Sequence, residues 1–380
     1  MQASAHFWTR WWGRVPWILR VALVPWALAR AVVLGAVVLS HQLADGLGVQ
    51  PAVAARVREG LLGWDAGWYE AIARHGYAGA GHPSLRFFPL LPLLAKLVSL
   101  VPGVDAGAAV VIVANAAALA AVAVLVALVR RETGDDGWAV RSAWLVCLVP
   151  PAFTLVMGYA ESVFLLLAVG TFLALRTERW WAAAGLAFLA GLARPLGLIL
   201  VLPAAVEVWR RWPGSAGRRR VGAVAAVVGA PAGAGAYLAW VGWRYGDALA
   251  PVRVQTDPSR RGGFADPTVT FAHDLRHLVH GEHLGQGLHL PWALLALAMT
   301  VVAFRLLPVS YGLFAAAVVA VCLTAPNLDG FERYAASAFP LVVAGAGLLR
   351  DGRVERAVYV LAAAGLAGYS VLAFMNLYTP

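Results

Sequence analysis

An aspartate framed by aromatic side chains lies in the polar segment that follows the first long apolar run of the chain. Asp65 is preceded by Trp64 and followed by Trp68 and Tyr69. A carboxylate at the edge of an apolar environment is costly to desolvate, and in a partly dry site it can act as a general base toward a hydroxyl. Aromatic rings can stack on a sugar. The alternative is structural: the rings form an interfacial belt and Asp65 caps a helix that starts at Ala66.

Two further ionisable residues lie inside apolar sequence. Glu161 has apolar stretches on both sides, and Arg194 is followed by Pro195 and Gly197, which should end a helix. A guanidinium group at membrane depth suits a phosphate, because it can bind two oxygens at once. Either the two residues serve function, or they form a structural ion pair with each other.

A short polar segment near the C-terminal end contains Glu332, Arg333 and Tyr334. These residue types can contact phosphates and sugars. Taken alone, the segment is an ordinary charged loop. It becomes a candidate because it shares the predicted outer side with Asp65 and Glu161.

Four histidines form a possible metal set, with the first three on one helical face: His273, His277, His280 and His283. No His-Glu-x-x-His pattern and no nearby cysteine accompanies them, so we predict a polar outer loop and no metal. The chain also has no Walker-type phosphate loop and no dinucleotide fingerprint. We therefore predict no cofactor and no nucleotide substrate.

The composition is that of a polytopic membrane protein. Of 380 residues, 61% are hydrophobic and 13% are charged, against about one quarter charged in soluble domains. Runs such as 108–129 and 221–241 are long enough to cross a hydrocarbon core. The net charge is +10, but the basic residues cluster between apolar runs. Loop orientation and anionic lipid explain this pattern better than nucleic acid does.

The positions of the arginines predict the orientation of the chain in the cell membrane. Arginine-rich short segments should be cytoplasmic, which puts the N-terminus inside and the segments 44–86, 244–290 and 326–334 outside. All candidate site residues then lie on the outer face. The arginine groups are 10/14, 130/131/141, 176/179, 210/211/218/219/220 and 350/353/356.

This orientation requires an all-α bundle of about eleven spans. We predict them near 17–43, 107–129, 142–157, 162–175, 180–193, 196–208, 221–243, 291–307, 309–325, 335–349 and 357–377.

Four of these spans are too short to cross a flat bilayer upright. They should pair as two hairpins with tips near 158–161 and 194–197. Broken helices at membrane depth are tolerated where they line a cavity, so the hairpins predict a cavity on the outer side. The alternative merges each pair into one long tilted helix.

The whole chain, 1–380, is expected to form one integral membrane domain with two long outer loops. The first loop, 44–104, carries the Asp65 motif, and an apolar stripe from Val53 to Trp64 predicts an amphipathic helix. Residues 87–101 are predicted to be re-entrant or interfacial. The second outer loop is 244–290.

Taken together, these motifs resemble those of the PIG-V-like mannosyltransferases, polytopic enzymes with the GT-C fold. Residues 64–77 and 87–94 resemble the first signature of that family. Residues 158–164 resemble its acidic segment, 193–197 its arginine turn and 331–334 its late motif. The similarity extends over roughly residues 18 to 345.

The resemblance implies transfer of a sugar, mannose or a relative, from a polyprenyl-phosphate donor on the outer face, with inversion. It implies that Asp65 is the general base and that Arg194 and Arg333 bind the donor phosphate. The substrate would also contact Trp64, Trp68, Tyr69, Glu161, Glu332 and Tyr334.

The acceptor stays open at this stage. The arginine-, alanine- and valine-rich composition suggests a bacterium of high genomic G+C, where the glycosylphosphatidylinositol-anchor pathway of the eukaryotic members is absent. The acceptor of those members therefore cannot be carried over, and we expect a lipid-linked or cell-envelope acceptor. The main alternative function is a transporter or flippase of a lipid-linked sugar, which also needs broken helices and buried charge. A non-catalytic scaffold would leave Asp65, Glu161 and Arg194 unexplained.

Overall fold

The computed structural model describes residues 16–214, 216–257, 260, 262–280 and 289–380. Within them, every regular element is helical, as expected where helices must satisfy their own backbone groups in hydrocarbon. The predicted cytoplasmic pair at 10/14 and the side chains of the 273–283 histidines lie outside the described residues.

The α-helices are α1 (Trp17–Leu47), α2 (Pro51–Glu59), α3 (Asp65–Ala80), α4 (Leu90–Val98), α5 (Ala106–Thr133), α6 (Asp136–Leu148), α7 (Glu161–Arg176), α8 (Trp180–Ala193), α9 (Val201–Arg211), α10 (Gly217–Tyr245), α11 (Ala250–Gln255), α12 (Pro267–His280), α13 (His289–Leu306), α14 (Val309–Leu323), α15 (Phe331–Ala336), α16 (Phe339–Leu348) and α17 (Gly352–Phe374).

Five of the described helices are long and apolar enough to cross a membrane: α1, α5, α10, α13 and α17. Shorter apolar helices, α8, α14 and α16, lie among them. The predicted all-α, multi-pass membrane architecture is therefore confirmed. The number of eleven spans stays a prediction.

The chain reverses between α6 and α7, as the sequence predicts. Asp136 at the start of α6 pairs with Arg130 at 2.7 Å. Arg176 at the end of α7 pairs with Glu132 at 2.8 Å. Both partners belong to the last turn of α5, so α6 begins and α7 ends at the same end of the bundle. The tip is a 3₁₀ segment, Pro150–Leu155, followed by a turn.

A second reversal joins α8 and α9. Glu178, just before α8, pairs with Arg211 at the end of α9 at 3.4 Å. Between them α8 stops at Ala193, and a 3₁₀ segment, Pro195–Leu200, begins where proline removes a backbone donor. In both places the structure has two separate helices and not one long tilted helix, and the pairing of the two helices as a hairpin stays a prediction.

Ionic side chains gather at two opposite ends of the bundle. At the end where α5, α7 and α9 stop, which we call the arginine-rich end, the fully buried Glu207 accepts a hydrogen bond from Ser310 at 2.6 Å and pairs with Arg176 at 3.2 Å. At the opposite end α3, α7 and α15 begin and α8 stops. We call this the site end, because it contains the candidate residues.

The first predicted outer loop consists of short helices, α2 to α4. Helices α3 and α4 pack against α5, and α2 contacts α1. Helix α4 has nine residues and is therefore about 14 Å long, roughly half the thickness of a hydrocarbon core. It cannot cross a bilayer, in agreement with the prediction for 87–101.

One intramembrane arginine fixes the turn that leads to α7. Arg30, in the middle of α1, donates to the side-chain oxygen of Asn115 at 2.8 Å and to the Leu155 carbonyl at 2.8 Å. Asn115 in turn donates to the Val156 carbonyl at 2.8 Å. These bonds satisfy backbone groups that the 3₁₀ segment would otherwise leave unpaired in hydrocarbon, and they set the height at which Glu161 starts the next helix.

Candidate active site

Asp65 is positioned by an unusual backbone turn. Trp64, the residue before it, has φ 58° and ψ −126°, a conformation that side chains disfavour and that persists only where the surroundings hold it. The Trp64 indole donates to the Ala373 carbonyl at 3.0 Å, and the Arg56 guanidinium lies 4.3 Å from its ring centroid. These contacts hold the turn, so that α3 begins at Asp65 itself.

The Asp65 carboxylate faces two guanidinium groups. Its Oδ2 accepts from Arg333 Nη1 at 2.7 Å, and its Oδ1 lies 3.7 Å from Arg86 Nη2. The side chain is 27% exposed, so it reaches water. The interpretation of Asp65 as an N-cap does not describe this geometry, because the N-cap position belongs to Trp64.

The charges around Asp65 set its protonation state. Burial would raise the pKa of Asp65, but the Arg333 and Arg86 guanidinium groups outweigh burial and hold the pKa below its ordinary value of 3.8. Asp65 is therefore ionised at neutral pH.

Arg194 is buried and forms an ion pair with Glu161. The distance from Arg194 Nη1 to Glu161 Oε1 is 3.0 Å, and both residues are at most 6% exposed. Arg194 also donates to the Ser337 hydroxyl at 3.2 Å. The turn after Arg194 needs glycine, since a Cβ on Gly197 would collide with the Ala190 carbonyl.

Arg333 joins the two carboxylates. Besides contacting Asp65, its Nε lies 3.4 Å from Glu161 Oε1, and its Nη2 donates to the Tyr334 hydroxyl at 2.8 Å. The guanidinium carbon lies 4.6 Å from the Tyr334 ring centroid and 5.2 Å from the Tyr159 ring centroid. Such rings stabilise a desolvated cation.

A cavity of about 200 Å³ lies among these groups. Its apolar wall comes from the end of α8 and the turn after it, from α14 and from the Phe87–Phe88 pair. Its polar lining is Asp65, Tyr69, Arg86, Glu161, Arg194, Gln255 and Tyr334. With Arg333 beside it, three guanidinium groups face two carboxylates. One positive charge is therefore left uncompensated, which suits a monoanion.

A second cavity, of about 660 Å³, reaches Asp65 from the other side. Its lining is mostly polar and comes mainly from α2 and α3, with Leu62, Trp64 and Arg86 added. Asp65 and Arg86 line both cavities, so the carboxylate forms part of the wall between them.

Four predicted site residues do not line the smaller cavity. Arg333 lies beside that cavity, paired with Asp65 and Glu161. Trp64 and Trp68 line the larger one, with Trp68 stacked on Phe87 at 5.7 Å between centroids. Glu332 points away from Asp65. It contacts His289 Nδ1 at 2.7 Å and accepts from the Tyr378 hydroxyl, and it is 2% exposed.

Sequence reasoning missed Arg86, Tyr159 and Ser337. Arg86 directly precedes the 87–94 motif, and Tyr159 lies inside the 158–164 motif. Both could therefore have been proposed as site residues from their positions relative to these motifs. Ser337 stands in apolar sequence with nothing to mark it. The sequence allows a structural ion pair between Glu161 and Arg194, and the structure shows that pair as one part of a larger network with Arg333.

Comparison with known proteins relates this chain to one sequence family. Residues 29–208 match the sequence model of the mannosyltransferase (PIG-V) family. No curated protein sequence matches the chain.

Solved structures that are similar to this chain include ArnT and AglB. ArnT from Cupriavidus metallidurans bound to undecaprenyl phosphate is similar with a TM-score of 0.51 and 17% identity, over 79% of this chain and 58% of that one. The oligosaccharyltransferase AglB from Archaeoglobus fulgidus, in complex with an inhibitory peptide and a dolichol-phosphate, has a TM-score of 0.41 and 14% identity, over 82% of this chain and 51% of that one. The chain thus spans about 58% of the length of ArnT, and at this identity the likeness shows the fold alone. The sequence match over residues 29–208 and the shared fold confirm the resemblance to the PIG-V mannosyltransferases, a family of hexosyltransferase enzymes with the GT-C fold.

Proposed function

We propose that this protein transfers a sugar, mannose or a relative, from a polyprenyl-phosphate donor to a hydroxyl group of a lipid or envelope glycan. One observation carries the proposal: an ionised carboxylate, Asp65, separates a cavity lined by buried arginine from a wider polar cavity. The family match supports the sugar, and the undecaprenyl phosphate bound to ArnT supports a lipid phosphate donor.

The donor phosphate binds Arg194 and Arg333 in the smaller cavity. A sugar linked to a polyprenyl phosphate carries one negative charge, which matches the one uncompensated positive charge there. When the sugar leaves, the phosphate gains a second negative charge, and the two guanidinium groups stabilise it more strongly in the transition state than in the donor.

Asp65 acts as the base on the acceptor. Phosphate binding to Arg333 competes with the Asp65–Arg333 pair and places a negative charge nearby, so the Asp65 pKa rises and the carboxylate becomes a better base. The acceptor hydroxyl comes from the larger cavity, where Trp64 and Trp68 lie. Attack then occurs on the side opposite the phosphate and inverts the sugar.

We further propose that the site end lies on the outer face of the cell membrane and the arginine-rich end in the cytoplasm, with the chain forming one membrane domain. The basis is the arginine distribution between the two ends.

Transfer by the purified protein tests the proposal. The protein in detergent micelles is mixed with radiolabelled polyprenyl-phosphate-mannose and membrane lipid extract, and products are separated by chromatography. We expect a new labelled glycan or glycolipid. A flippase has no second compartment in micelles, so an unchanged donor would support the transporter alternative, and the product identifies the acceptor.

The acid limb of the pH profile tests the electrostatics of Asp65. Because the pKa of Asp65 is held below its ordinary value of 3.8, the midpoint of the loss of kcat/KM that its protonation causes should lie below pH 3.8. Arg86→Gln removes one of the charges that lower this pKa, so its acid limb should move to higher pH.

Arg74→Gln is the matched control, since Arg74 pairs with Glu70 at 2.6 Å on the exposed face of α3. Its profile should coincide with that of the wild type. If the acid limb of the kcat/KM profile in Arg86→Gln stays at the wild-type pH, Asp65 is not the group whose protonation causes that limb.

A further inference from the structure

We propose that the arginine-rich end contains a binding site for the headgroup of an anionic phospholipid, between the first turns of α8 and α10. A cavity of about 330 Å³ lies there, lined by Glu178, Arg179, Trp180, Trp181, Ala182, Arg218 and Arg219. It belongs to the end of the bundle opposite Asp65 and is separate from the proposed sugar transfer.

The charges of this cavity are unbalanced. Glu178 is already paired with Arg211 at 3.4 Å and with Arg219. Arg179 and Arg218 are exposed and have no carboxylate within ion-pair distance among the residues that the structure describes. The cavity therefore has two guanidinium groups available for an anion.

The backbone adds to this positive potential. Helices α8 and α10 run parallel in close contact: a Cβ on Gly222 would lie 3.1 Å from Trp180 Cβ, and one on Gly229 would lie 2.5 Å from the Ala184 carbonyl. Both helices begin without a side-chain cap, so free N–H groups and two positive dipole ends point to the same side. Arginines at helix N-termini are unfavourable unless an anion offsets them.

The surroundings indicate that the anion belongs to a lipid. Trp181, in the lining, is 56% exposed, as is usual for indoles at a membrane interface. Directly along α10 the side chains of Val221, Val224 and Val228 are 48–59% exposed, and they form an apolar surface for acyl chains. The indole N–H of Trp180, which also belongs to this lining, is buried without an acceptor in the described part of the chain.

Lipid titration of the purified full-length protein tests the site. Phosphatidylglycerol is added to the protein in detergent, and its apparent affinity is obtained from the rise in the thermal unfolding midpoint. We expect phosphatidylglycerol to raise the midpoint and phosphatidylcholine or inorganic phosphate at equal concentration to have little effect. The variant R179Q/R218Q should bind phosphatidylglycerol about 30-fold more weakly, since each interfacial arginine contributes about fivefold.

The variant R353Q/R356Q is the matched control, because it removes the same charge from the start of α17, outside the cavity. It should keep wild-type affinity, and the single variant R218Q should lose about fivefold. Equal affinity of R179Q/R218Q and the wild type would overturn the proposal. So would an equal effect of phosphatidylcholine, or an equal effect of inorganic phosphate, which would indicate a free-anion site instead.

Discussion

Asp65→Asn is expected to reduce kcat for sugar transfer by about 10²- to 10⁴-fold, the usual contribution of a general base. Asparagine keeps the size of the side chain and can still accept a hydrogen bond from Arg333, but it cannot take a proton at neutral pH. Removal of one carboxylate also makes the cavity more positive. The KM for the anionic donor should therefore stay unchanged or fall, while kcat is lost.

Asp105→Asn provides the control for this variant. Asp105 is an exposed residue of the same predicted outer loop and caps α5 by accepting from the Ala108 amide at 2.7 Å, a role that asparagine performs equally well. It should retain wild-type transfer. Turnover close to that of the wild type in Asp65→Asn, with folding checked by size-exclusion chromatography, would remove Asp65 from the base role.

Arg194→Gln is expected to raise the KM for the donor by about 10- to 100-fold, the range for a lost charge-assisted hydrogen bond. Glutamine can still donate to Glu161, so the turn before Pro195 should survive. The acceptor KM should change little, because the acceptor is proposed to bind in the cavity beyond Asp65. Initial rates with each substrate varied in turn measure both constants.

Glu161→Gln separates phosphate binding from a merely structural ion pair. If Arg194 binds the donor, neutralising its partner frees the guanidinium, and the donor KM should stay equal or fall. If the pair serves only to hold the fold, both variants should weaken donor and acceptor alike and lower the unfolding midpoint together. Equal loss for both substrates in Arg194→Gln would thus contradict its role at the phosphate.

The membrane class and the breaks in the helices could be read from local signals. Long apolar runs predict spans because hydrocarbon thickness fixes their length, and the described part of the chain contains five such helices. The interruptions at 158–161 and 194–197 follow from short spans and from Pro195 beside Gly197. These features depend on residues that are adjacent along the chain, so they can be read directly from the sequence.

The partners of the ionisable residues could not be read in the same way. Asp65 and Arg333 are 268 positions apart, and no local pattern states that they meet. The same holds for Arg194 with Ser337, separated by 143 positions, and for Arg30 with Leu155. Glu332 stands next to Arg333, yet it turns toward His289 and Tyr378, because successive residues of a helix face different directions.

The sequence alone was enough to show that this chain folds in a membrane and where its helices break. It also indicated the candidate site residues. Only the packing of distant segments decided which of those residues line a common cavity. The same packing decided which of them only stabilise the fold. The physical reason is that apolar length and backbone-breaking residues act locally. A charge buried in a membrane protein is stabilised by whichever counter-charge the folded bundle brings within a few ångströms.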